Sequence, residues 1–181
     1  MDNPTTLLVA IMFVTIVVTG IVNILMFLSS LLAGKVKTHP LHSNWVILLL
    51  VAYLNFFWQT TLILEIEGWT FLSFIGFMVG PIALLFATNL MLEAPDSEKQ
   101  SVLDQFYFKI SRLYFTLLFL VQLWVVGLDF YFESVGFPTF MAGFIAAVFL
   151  GLALVRNYKV HVAGAVLTWT AFLVASGFLF T

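Results

Sequence analysis

Residues 3–37 read NPTTLLVAIMFVTIVVTGIVNILMFLSSLLAGKVK, and this stretch decides the fold. From Asn3 to Gly34 it holds no charged side chain, and Lys35 and Lys37 then close it. About 20 apolar residues in a row cross a hydrocarbon core of about 30 Å as a helix. The run does not alternate with period two, as a barrel strand would, and an open sheet cannot satisfy its backbone in lipid. It also lacks a basic leading region and a small-residue cleavage site, which points to a retained helix rather than a signal peptide.

The rest of the chain has the same texture. Charge-poor runs broken at Gly68, Gly136 and Pro138 predict further helices. The six expected spans are 6–33, 45–64, 69–92, 113–132, 139–155 and 160–180. The fold class is all-α, a polytopic six-helix membrane bundle in a single domain, 1–181. Composition agrees: 62% of the residues are hydrophobic and 9% charged, with a mean hydropathy of +1.11. An average soluble domain is about 25% charged, so a soluble enzyme, a disordered chain and a nucleic-acid binder are excluded. The absence of cysteine excludes disulfides and thiolate chemistry.

The bases orient the bundle. Lys35 and Lys37 follow the first span; Lys99, Lys109 and Arg112 lie between the third and fourth; Arg156 and Lys159 lie between the fifth and sixth. With six spans, all seven fall on one side, which the positive-inside rule places in the cytoplasm. Both termini are then extracytoplasmic, and the plasma (inner) membrane is the expected location. The opposite side carries Asp2, Glu65, Glu67, Asp129 and Glu133 and no base. The inner connection 97–112 has Ser97 and Gln100 at capping-box spacing, with Val102, Phe106 and Ile110 recurring every four residues. It reads either as an amphipathic helix on the inner leaflet or as an extension of the fourth span.

Amides are the unusual side chains inside the spans: Asn23, Asn55, Gln59, Asn89 and Gln122. An amide in hydrocarbon needs a partner, because unpaired donors there cost about a few kcal/mol. Asn55, Gln59 and Gln122 can therefore line a polar path or hydrogen-bond between helices. Glu65, Asp129 and Glu133 gather near one rim and can collect cations or simply flank the membrane, with Asp129 the deepest. His39, His42 and His161 sit at the basic side, where three neutral imidazoles can hold a metal such as zinc or respond to pH; ordinary interfacial histidines are the plainer reading. Gly143, Ala147 and Gly151 recur every four residues, and Gly76 and Gly80 precede Pro81; such small residues let helices pack closely. Trp45, Trp69 and Tyr131 read as interfacial belt residues. Phe56, Phe57 and Trp58 can fill space, face lipid or border a pocket for a flat lipid-like molecule. No span carries the lysine of a retinal Schiff base, and there is no phosphate loop, HExxH helix or potassium filter.

The cadence of His42-Ser43-Asn44-Trp45, Phe57-Trp58-Gln59 and Tyr107-Phe108 resembles that of small bacterial six-helix integral membrane proteins without an assigned activity. The resemblance covers nearly the whole chain and implies a bacterial inner membrane but no activity. The expected function is non-enzymatic: passage or gating of a small solute or ion, as a homo-oligomer among membrane lipid, with no nucleic-acid partner. No particular cofactor is implied. Two alternatives stay open. One is a membrane sensor or partner-binding subunit that recognises a lipid or another membrane protein. The other is a metal-dependent membrane enzyme using the histidines.

Overall fold

The computed structural model describes residues 4–58, 60–64, 66, 68–93, 100–132 and 134–179. Among the described residues seven helices follow one another: α1 (Pro4–Leu32), α2 (Pro40–Trp58), the single turn α3 (Thr60–Ile63), α4 (Phe71–Leu92), α5 (Gln100–Tyr131), α6 (Phe137–Leu154) and α7 (Tyr158–Leu179). There is no strand among the described residues. All but α3 are long and apolar enough to cross a membrane, so the chain is a multi-pass membrane protein with six candidate spans.

Local chemistry sets the helix ends. α1 stops at Gly34, whose φ of +69° suits a residue without a Cβ. The Gly34 N–H donates to the Leu31 carbonyl and the Lys35 N–H to Ser30, the paired bonds of a Schellman ending. α2 starts at Pro40, earlier than the expected 45, because a proline in the first turn has no N–H to lose. α4 starts with a capping box between Thr70 and Ser73.

α5 is one unbroken helix of 32 residues, about 48 Å at 1.5 Å per residue. From residue 100 onward the inner connection is thus an extension of the fourth span; 97–99 lie outside the described residues. Leu103, Tyr107 and Ile110 are buried, so this extension packs on the protein.

α5 packs chiefly on α6 and α4, α1 on α2 and α4, and α7 on α6 and α2. The tightest approaches occur where glycine leaves room for a ring or a branched side chain. A Cβ at Gly20 would lie 2.2 Å from the Tyr53 ring, at Gly80 2.3 Å from the Trp124 indole, and at Gly164 2.7 Å from Leu152. The expected stripe Gly143, Ala147 and Gly151 does not serve packing within the chain. All three are exposed on α6, and a Cβ at Gly143 or Gly151 would meet nothing within 4 Å. The side chains that face α5 and α7 come instead from the other flank of α6, including Ile145, Phe149 and Leu152. Gly76 is likewise open, while its carbonyl accepts the Trp124 indole N–H at 2.8 Å.

Candidate functional site

The amides predicted on separate spans converge in part. Asn55 of α2 and Gln122 of α5 line one cavity of about 170 Å³ between α2, α5, α6 and α7. Thr168 of α7 joins them, donating its hydroxyl proton to the Gly164 carbonyl at 2.8 Å and leaving its oxygen as an acceptor in the wall. The remaining lining is apolar, with Phe56, Ile145 and Phe149 prominent. Since a water occupies about 30 Å³ of liquid, the space can take several waters or a small polar solute. Phe56 contributes to this wall, whereas Phe57 and Trp58 are exposed on the bundle surface. Gln59 lies outside the described residues. Asn23 is half-buried in α1 and Asn89 exposed on α4, both away from the cavity lining.

At the acidic end Asp129 is half-buried, and its Oδ2 accepts the Thr139 hydroxyl at 2.7 Å. The same Thr139 oxygen accepts the Gly136 N–H at 3.1 Å. One threonine thus ties the end of α5 to the start of α6 through the carboxylate. Glu65 and Glu133 lie outside the described residues. A larger groove of about 470 Å³ opens between the end of α5 and the start of α4, walled by Trp69, Phe77, Trp124, Tyr131 and Phe132.

The histidines occupy the opposite, basic end, and all three are buried. His161 Nε2 meets the Val155 carbonyl at 2.8 Å, and a carbonyl can only accept, so Nε2 carries the proton. Nδ1 is then an acceptor, and it takes the Tyr107 hydroxyl proton at 2.8 Å. The Tyr107 oxygen in turn accepts the Trp45 indole N–H at 3.0 Å. A directional chain therefore runs from α2 through α5 to α7 and ends on the carbonyl of Val155, the residue that caps the end of α6. His42 Nε2 meets the carbonyl of Met91, in the last turn of α4, and its ring is stacked between Phe27 and Phe106 at interplanar angles of 12° and 14°. Both rings satisfy carbonyls that a helix end leaves without an intrahelical partner. His39 Nδ1 accepts the Leu41 N–H at 3.1 Å, and its Nε2 lies 3.5 Å from Asp104 Oδ1. Burial pushes the His39 imidazole below its ordinary value, against the opposing pull of Asp104.

These commitments leave no common ligand set. Among the described residues, no group of three or more His, Cys, Asp or Glu is placed to hold a metal ion. His39, His42 and His161 gather at one end of the bundle but spend ring nitrogens on backbone carbonyls, a backbone N–H, a tyrosine and an aspartate. Trp45 also departs from its expected place in an interfacial belt: it is fully buried as the head of the hydrogen-bonded chain. Asp104 and Thr168 carry no signal in the sequence, and Tyr107 stands out there only within the Tyr107-Phe108 pair of the resemblance, with no role attached. Its other signal is its position beside the apolar face of 102–110.

The chain matches no family model, no curated protein and no solved structure. Its fold and its sites therefore rest on its own residues.

Proposed function

We propose that the chain passes or gates a small solute or ion through the cavity lined by Asn55, Gln122 and Thr168. The single observation that carries this reading is that amides from two helices, Asn55 of α2 and Gln122 of α5, border one and the same cavity. In hydrocarbon, polar side chains from different helices that border a cavity mark a path for polar solutes. A homo-oligomer is the working form: the small residues Gly143, Ala147 and Gly151 face outward, where another subunit can approach closely. The setting is a bacterial inner membrane, with the links bearing lysine and arginine in the cytoplasm and both termini outside.

The test is flux into proteoliposomes under imposed gradients of small cations, anions and uncharged polar solutes. Wild-type protein is expected to pass at least one of them, and Asn55→Leu with Gln122→Leu to lower that flux several-fold. Their effect on stability should stay near the roughly 0.6 kcal/mol typical of a polar contact between membrane helices. The reading is lost if no solute crosses, or if the double variant conducts like wild type.

A second reading, a lipid- or partner-binding subunit, draws on the aromatic groove beside Trp69 and Trp124. Its mark is a defined lipid or protein that co-purifies with a chain supporting no flux.

A further inference from the structure

An open groove of about 380 Å³ lies at the basic end, apart from the amide-lined cavity. Its walls are Asp104, Gln105, Phe108 and Lys109 of α5 and Arg156 of the α6–α7 link. Two cationic side chains from separate elements thus face one space. Among the described residues, neither Lys109 nor Arg156 has an ion-pair partner. Asp104, the one acid in the wall, has its Oδ1 3.5 Å from the His39 imidazole, and the wall keeps a formal charge of +1. Phe108 forms the apolar side; its ring packs edge-on against His161, with centroids 5.2 Å apart, which holds that wall in place.

We infer that this groove binds a phosphate-bearing anion, held by Arg156 and Lys109. Three features select that chemistry. The guanidinium presents a planar fork of donors that matches phosphate oxygens, and the lysine adds a mobile point charge. Gln105 supplies an uncharged amide donor. The volume exceeds what a monatomic anion fills, and Phe108 offers a shelf for the carbon portion of an ester. Basic pockets between helices at a membrane surface take phospholipid headgroups by this combination, and a free phosphorylated solute presents the same groups. Phosphate is therefore the shared chemistry, and its source is a matter for separate arms of one experiment.

In the first arm, the protein is placed in nanodiscs of phosphatidylcholine with or without phosphatidylglycerol, and retained lipid is counted by native mass spectrometry. In the second, inorganic phosphate is titrated into lipid-free protein in an uncharged detergent, and its binding is read by calorimetry. The test variant is Lys109→Gln with Arg156→Gln, compared with Lys35→Gln and Lys159→Gln, which remove the same charge from equally exposed positions that do not line the groove. Neutralising both groove bases is expected to weaken binding about thirtyfold, and the control pair less than about threefold. Selective loss of phosphatidylglycerol identifies a lipid headgroup; selective loss of phosphate binding identifies a free anion. Either result upholds the site. Failure of both probes to bind wild type, or equal loss in the two double variants, overturns it.

Discussion

Tyr107 makes one buried hydroxyl serve two bonds, accepting from Trp45 and donating to His161. Tyr114, two helical turns along α5, is just as buried, but among the described residues its hydroxyl has no hydrogen-bond partner. The same change at the two positions should therefore have opposite outcomes. Tyr107→Phe leaves an indole N–H and an imidazole nitrogen unpaired and should lower stability by about 1–3 kcal/mol for each group stranded. Tyr114→Phe removes an unsatisfied group and should leave stability unchanged or raise it. Thermal unfolding in detergent separates the two. His39 supplies a pH dependence. Its folded-state imidazole resists protonation, while the unfolded chain takes up a proton near the ordinary value of about 6.5. The unfolded state thus binds more protons as pH falls through that value, so stability should decline from about pH 7 towards 5. His39→Gln should flatten part of that slope in melting curves taken at each pH.

Among the elements, the helix contacts follow single glycines rather than repeated motifs. Gly80 receives the Trp124 indole, so Gly80→Ala must displace a ring and should cost about 1–3 kcal/mol, the usual range for overpacking. Gly143→Ala adds a methyl to open space and should shift monomer stability by less than about 0.5 kcal/mol. If α6 is the face between subunits, the bulkier Gly143→Leu should lower the oligomer mass measured by light scattering without altering helix content. The spans themselves were legible because crossing a bilayer is a matter of length and apolarity, both properties of contiguous residues. The extent of α5 was ambiguous, since the pattern Val102, Phe106, Ile110 suits a helix lying on lipid as well as one packed on protein. The roles of the histidines were not legible. His42 and His161 meet backbone carbonyls and a tyrosine hydroxyl; Met91 is 49 residues from His42 and Tyr107 is 54 from His161, and no local spacing encodes such contacts. Of the proposed path, the amides could be named individually, but the cavity that Asn55 and Gln122 both line depends on how four helices meet.

At the scale of the whole molecule, the polarity of the two ends makes a prediction of its own. If the basic links face the cytoplasm, a cysteine placed at Lys37 or Lys159 in this cysteine-free chain should resist an impermeant thiol reagent in intact cells. One placed at Ser134, in the α5–α6 turn, should react. Labelling in the reverse sense would invert the proposed orientation.

The Trp45–Tyr107–His161–Val155 chain has a mechanical consequence. It rivets α2, α5, α7 and the end of α6 at one end of the bundle, while the cavity holding Asn55 and Gln122 lies farther along the same helices. Four rods clasped at one tip spread most easily at the other, like tongs. Any widening that admits a solute should therefore pivot about Tyr107 and begin near Pro138, and loosening that rivet would free both ends to part.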